Sequence, residues 1–190
     1  RVYGNGRLPH AECQPLSDMG IYESSKASVD LIARSYYHSY GLPVAVTRCA
    51  NLYGGADLKF SRIVPNTIKL VLEGHSPVVW SGARDLMREF LYIDDAVDAY
   101  LCLVENIDMA AGEAYNIGSG ERITIEKLVR KIVSIISPEI EIKYKSKDLI
   151  EADHHYLDSS KIRNDIGWSA STSLEDGLEK TIKSYRKSWN

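Results

Sequence analysis

The chain has 190 residues, 44% of them hydrophobic and 26% charged, with a formal net charge of -3. That length and balance suit one soluble globular domain, or one domain with a small lobe. The mild acidity provides no long-range field toward DNA, RNA or anionic membranes, and no apolar run approaches the roughly 20 residues that span a bilayer. Cys13, Cys49 and Cys102 form an odd set without metal-ligand spacing. The adjacent His154 and His155 point different ways on any regular element. No metal site is therefore expected, and a reducing, cytoplasmic setting fits.

The chain opens on Arg1-Val2-Tyr3-Gly4, a strand-to-turn pattern without an initiator Met, which reads as the start of a fragment. Residues 5–20 are rich in Gly, Pro and polar groups and read as a loop. Val29, Ile32, Ala33, Tyr36, Tyr37 and Tyr40 recur at helical steps, predicting a helix over 22–40 that Gly41 stops and Pro43 keeps from resuming. Residues 44–47 are short and β-branched and read as a buried strand, and 51–55 as a turn. A helix is expected over 63–72, a strand over 78–80, a turn at Ser81-Gly82 and a strand over 90–93.

That strand feeds a helix capped by Asp94 or Asp95, with Val97, Tyr100, Leu101 and Val104 as its apolar stripe. Residues 115–118 read as a strand and turn, Thr124 as the cap of a helix through Ile136, and 140–143 as a strand. Residues 144–157 are irregular and charged, and Ser173 with Asp176 resembles a capping box opening a last helix through Tyr185. Helices alternating with short apolar strands predict an α/β fold with a largely parallel sheet. No G-x-G-x-x-G occurs, so the phosphate-cradling turn of a dinucleotide fold is not in this chain.

Tyr22-Glu23-Ser24-Ser25-Lys26 places a phenol and an ammonium one helical turn apart on one face. A phenol alone is too weak an acid to serve as a base at neutral pH. A positive charge about 4 Å away, at an effective dielectric of ~20, stabilises the phenolate by roughly 4 kcal/mol. By itself the pair is unspecific, because 12 tyrosines share the chain with many lysines.

Context gives the pair its meaning. Val2-Tyr3-Gly4 precedes it, and Arg48-Cys49-Ala50-Asn51-Leu52-Tyr53-Gly54-Gly55 and Ile63-Val64-Pro65 follow. Arg88-Glu89-Phe90-Leu91-Tyr92-Ile93-Asp94-Asp95, Tyr115-Asn116-Ile117-Gly118, Leu157-Asp158-Ser159-Ser160-Lys161-Ile162 and Gly167-Trp168 complete the order. This ordered set resembles the NAD(P)-dependent nucleotide-sugar epimerase/dehydratase family of extended short-chain dehydrogenases, over nearly the whole chain. Within that family, Tyr53-Gly54-Gly55-Ala56-Asp57 and Arg62-Ile63-Val64-Pro65 are similar to segments of the CDP-glucose 4,6-dehydratase group, with Ala56 in place of a third glycine. Glu151-Ala152 ahead of Leu157-Asp158 fits the same group, as does a basic Arg1 rather than Glu before the Val-Tyr-Gly.

The resemblance implies the C-terminal part of a Rossmann-like parallel-sheet fold plus a small α/β substrate-binding lobe. Residues 1–54 and 88–118 would belong to the former, and 55–87 and 119–190 to the latter. It implies that Tyr22 takes a proton from a sugar hydroxyl while NAD, or NADP, accepts the hydride, and that Lys26 assists and holds the nicotinamide ribose. Arg48 would stand on the cofactor side, and Asn51, Arg62, Arg88 and Glu151 would bind a nucleotide diphosphate sugar. The family's catalytic Ser or Thr would lie upstream of Arg1. A homodimer through the helix carrying Tyr22 and Lys26 is implied too. The activity implied is 4,6-dehydration. A 4-epimerase, or a sugar-nucleotide-binding fragment inactive without its glycine-rich half, is the alternative.

Overall fold

The computed structural model describes residues 2–17, 20–146 and 154–188. Helix α1 spans Ile21–Tyr40 and ends where Gly41 turns left-handed at φ 67°, its N–H donating to the Tyr37 carbonyl. The chain then forms β1 (Val46–Cys49) and β2 (Asn51–Tyr53), α2 (Ile63–Leu72), β3 (Val78–Trp80) and β4 (Met87–Tyr92). Helices α3 (Ile93–Glu105) and α4 (Ile107–Ala110) lead to β5 (Ala114–Ile117) and β6 (Arg122–Thr124). Last come α5 (Ile125–Ile136), β7 (Lys143–Lys145), α6 (Ser160–Ile166) and α7 (Leu174–Ser188).

The fold is α/β, and among the described residues three of the four strand pairings are parallel: β1 with β5, β2 with β4, and β3 with β7, while β4 with β6 is antiparallel. Residues 51–53, expected in a turn, are instead a strand. Local turn chemistry at Gly54-Gly55 extends less far upstream than expected, because Asn51, Leu52 and Tyr53 find backbone partners opposite Phe90, Leu91 and Tyr92. The strand expected over 140–143 lies at Lys143–Lys145 for the same reason, paired to Val78–Trp80.

Two main cores meet at β4. Leu91 packs with Ala96, Ala99, Leu103, Tyr115 and Ile117, while Phe90 and Tyr92, on the opposite face, pack with Tyr53, Ile68, Leu128 and Leu178. The expected helix signals hold over the second core. Thr124 Oγ1 accepts from the Lys127 N–H at the start of α5, and Ser173 Oγ accepts from the Asp176 N–H at the start of α7. Leu174, Leu178, Ile182 and Tyr185 then recur on the buried side of α7. Gly55 lies so close to α7 that a Cβ there would come within 2.4 Å of Ser184 Oγ. The next residue, Ala56, holds φ 64°. That is the left-handed region a third glycine would occupy freely, at a cost of roughly 1–2 kcal/mol for an L side chain.

Helix α3 corrects two expectations. Its N-cap is Tyr92, not Asp94 or Asp95, which stand in the first turn where their charge still favours the helix dipole. The buried Asp95 carboxylate accepts from the backbone N–H and hydroxyl groups of Ser171 and Thr172, joining α3 to the segment before α7. The apolar stripe of Val97, Tyr100, Leu101 and Val104 faces outward, all four being exposed. Ala96, Ala99 and Leu103 face the core instead, because small side chains let the helix lie close against the sheet. Helix α1 is alike: Val29, Ile32, Tyr36 and Tyr40 are exposed and only Asp30 is buried. All three cysteines are free thiols. Among the described residues no metal-binding cluster exists, and no helix is long and apolar enough to cross a membrane.

Candidate active site

The site is built around α1. Tyr22 and Lys26 lie in its first two turns, with Tyr22 59% exposed and Lys26 also exposed. Their side chains leave the helix on one side, Lys26 Nζ standing 5.6 Å from the centroid of the Tyr22 ring. One turn further on, Asp30 is 3% exposed and accepts from Arg48 Nε at 2.7 Å and Nη2 at 3.1 Å, a two-pronged pair between α1 and β1. Arg34 Nε donates to the same carboxylate at 3.1 Å. The helix face that carries the Tyr–Lys pair is thus registered on the sheet by a buried charge pair.

Arg48, expected on the cofactor side, points into the fold. Besides Asp30, it donates through Nη1 to Tyr3 Oη at 2.8 Å, and the residue is 7% exposed. Tyr3 Oη in turn donates to Asn116 Oδ1 at 2.6 Å. Burial pushes the Tyr3 phenol up to about 12, outweighing the opposite pull of Arg48. Asn116 is fully buried and its amide donates to the carbonyls of His10 and Asp158, while its backbone N–H donates to Glu12. Tyr3, Arg48, Asp30 and Asn116 therefore lock the segment leading into α1 against β1 and β5. Residue order alone could not show this, although one acid amid the apolar residues of a helix and one arginine on a strand are the kind of signal that calls for a buried pair.

Asn51 and Arg88 lie on the paired strands β2 and β4. Asn51, exposed at the start of β2, donates through Nδ2 to the Glu89 carbonyl at 2.9 Å. Arg88 is half-buried on β4, its Nη1 donating to the Met87 carbonyl at 3.0 Å, and its backbone bridges to His155. Arg62 is the N-cap residue of α2 and pairs with Asp57 at 3.0 Å, with a side chain 56% exposed. A pair this open contributes at most about 1 kcal/mol, so exchanging Asp57 for a phosphate oxygen costs little. Arg1, Glu151 and Asp153 lie outside the described residues. The residue that sequence reasoning passed over is Glu89, a carboxylate only 1% exposed in the otherwise apolar end of β4.

Two cavities are lined by other residues. One of about 490 Å³ is lined by α5 and the residues around β7, among them Arg130, Val133, Ile140 and Tyr144. Another of about 370 Å³ lies along α1 and is lined only by apolar residues and Tyr36. The Tyr22–Lys26 pair stands on open surface.

A family model described as GDP-mannose 4,6 dehydratase matches residues 1–181. The chain belongs to this family, the nucleotide-sugar dehydratases and epimerases of the extended short-chain dehydrogenase class. A dTDP-glucose 4,6-dehydratase of Streptomyces griseus is 33% identical over 99% of this chain and 57% of its own length. Among solved structures, a dTDP-glucose 4,6-dehydratase of Bacillus anthracis in complex with NAD superposes with a TM-score of 0.87 at 30% identity, covering 98% of this chain and 59% of that one. A UDP-glucose 4-epimerase of Thermotoga maritima, with UDP-glucose, gives a TM-score of 0.90 at 26% identity over all of this chain and 62% of that one. The chain thus spans little more than half the length of these dehydratases and epimerases.

Proposed function

We propose that this chain is the catalytic and substrate-binding part of a nucleotide-sugar 4,6-dehydratase that works with bound NAD. The observation that carries the proposal is the Lys26 ammonium standing over the ring of an exposed Tyr22, on a helix face that Asp30 and Arg48 hold in register. The pair fits a nicotinamide ribose and a sugar hydroxyl, because both side chains are exposed and Lys26 forms no ion pair with a described residue. NAD, when bound, supplies the hydride acceptor and donor. Lys26 stabilises the Tyr22 phenolate, whose Oη takes the proton of the sugar hydroxyl, and donates to the ribose. In open water at 4 Å that stabilisation is only about 1 kcal/mol, and it grows as cofactor and sugar exclude solvent. Arg88 and Arg62 donate to the diphosphate oxygens, for which a planar guanidinium is suited, and the Asn51 amide reaches the same region from β2.

CDP-glucose is the substrate suggested by residues 53–57 and 62–65, whereas the relatives above are named for dTDP- and UDP-sugars. The test is to supply the full-length protein with CDP-, dTDP- and UDP-glucose in the presence of NAD or NADP and identify the product. A 4-keto-6-deoxy sugar nucleotide is expected, with CDP-glucose turned over fastest and NAD as the cofactor. A 4-epimer instead would establish the second reading, a 4-epimerase, which the whole-chain likeness to a UDP-glucose 4-epimerase favours. No conversion of any of the three would reject both.

The same reading includes a homodimer through α1 and α3. Val29, Ile32 and Tyr36 on α1, with Tyr100, Leu101 and Val104 on α3, are large apolar or aromatic side chains left at the surface. Tyr100 Oη lies 2.7 Å from Thr47 Oγ1 on β1, the strand against which α1 packs. Monomers seldom leave such a patch open, and aromatic residues at its centre suit an interface. Sedimentation velocity is expected to show a dimer, and Ile32→Asp with Leu101→Asp a monomer. A wild-type protein that sediments as a monomer at micromolar concentration would contradict this.

A further inference from the structure

Glu89 is a charged residue where the strand has room for an apolar one, since Phe90, Leu91 and Tyr92 continue β4 as core. Its carboxylate is turned away from solvent and, among the described residues, accepts from backbone N–H groups. Oε1 accepts from the Gly120 N–H at 2.7 Å and Oε2 from the Leu157 N–H at 2.8 Å, with the Ser119 amide facing the same group. The approach is close enough that a Cβ on Gly118 would fall 2.3 Å from Oε1. The backbone carbonyl of the same residue holds Asn51 Nδ2.

Glu89 also stands at a changeover in the sheet. Residues 87–89 pair with β6 and touch the 154–157 stretch, whereas 90–92 pair with β2. Neighbouring side chains on a strand leave opposite faces, so Glu89 braces from behind the strand whose front carries Arg88. We propose that Glu89 is a positioning residue for nucleotide-sugar binding, setting Arg88 and Asn51 by anchoring the 118–120 turn and the Leu157 stretch against β4. The proposal rests on the reading of Arg88 and Asn51 as diphosphate-binding residues given above.

The carboxylate is specific to this task. A glutamine would present its NH₂ to one of the backbone N–H groups, leaving a donor facing a donor, whereas aspartate keeps both acceptors on a shorter arm. In the full-length, NAD-loaded protein, Glu89→Gln is expected to raise KM for the glucose nucleotide about 10- to 100-fold, since ångström-scale misplacement of a binding group has effects of that size. The inhibition constant of the matching nucleoside diphosphate should rise in parallel, with kcat within about 3-fold of wild type and NAD content unchanged. Glu89→Asp should recover part of the loss. Combined with Arg88→Ala, Glu89→Gln should add less than its effect alone, because the Arg88 guanidinium is one of the two groups it sets.

A purely structural role would lower the active fraction and melting temperature without moving KM. A folded Glu89→Gln protein with wild-type KM, or one whose effect adds fully to Arg88→Ala, would overturn the proposal. Arg88→Ala with an unchanged KM would overturn the site reading itself, whatever Glu89 does. Should Glu89→Gln not fold, Glu89→Asp carries the same KM and coupling tests with the same outcomes.

Discussion

Tyr22→Phe is expected to lower turnover of the full-length protein by about 10²–10⁴-fold, the usual contribution of a positioned acid–base group. It should leave the affinity for the nucleotide sugar within about 2-fold. The reason lies in where the phenol sits. Tyr22 is 59% exposed, so deleting its hydroxyl removes no core packing, and surface changes of this kind alter stability by no more than about 0.5 kcal/mol. Any large loss of rate must then be a loss of chemistry. Single-turnover reduction of bound NAD by the sugar nucleotide is the sharpest measurement, because it isolates the step in which the sugar hydroxyl gives up its proton. A Tyr22→Phe protein that reduces NAD at the wild-type rate would remove Tyr22 from the mechanism, and with it the role of Lys26.

The largest expected effect on stability comes from Asp30→Ala. Asp30 and Arg48 have side chains 3% and 5% exposed, and their contact at 2.7 Å is screened little by water. Removing the carboxylate leaves a buried guanidinium with, among the described residues, Tyr3 Oη at 2.8 Å and, at 3.5 Å, the Glu12 carbonyl to satisfy it. Breaking a buried pair from one side costs about 3–5 kcal/mol, a large share of the 5–15 kcal/mol by which domains are typically stable. Urea unfolding should show that loss. Replacing both partners, Asp30→Leu with Arg48→Met, should recover most of it, since the apolar pair has no stranded charge. A loss under about 1 kcal/mol for Asp30→Ala would mean that solvent reaches the pair and that it does not register α1 on the sheet.

The two predictions separate chemistry from support. Tyr22 and Lys26 are exposed and cheap to alter for the fold, while Asp30, one turn beyond Lys26, is buried and costly. That division explains how a helix with an apolar outer surface and a single buried residue keeps its face aligned with the sheet. The alignment comes from one charge pair and its extension through Tyr3 to Asn116, rather than from a wide hydrophobic contact.

Much of this was legible in the order of residues. The ends of α1, α2 and α5 follow from Gly41, from the apolar run over 63–72 and from Thr124, each a local effect of backbone conformation or capping. The parallel pairing and the side-by-side placement of Tyr22 and Lys26 follow from alternating elements and the four-residue helical step. The helix ends and the Tyr22–Lys26 placement depend on neighbours within about one turn of helix, and the parallel pairing on the order of the elements, both of which the sequence carries. Which apolar stripe of α3 turns inward, where Arg48 points, and that Asn51 belongs to a strand were decided only when distant segments met. Val97, Tyr100, Leu101 and Val104 are as hydrophobic as any core stripe, yet Ala96 and Ala99 face the sheet because only small side chains allow so close an approach. Arg48 turns inward because Asp30, 18 residues earlier, offers it a carboxylate inside the fold. Glu89 braces β4 through groups 31 and 68 positions away. Burial of a charge is a property of its surroundings, and those are assembled by the tertiary structure rather than written at the residue itself.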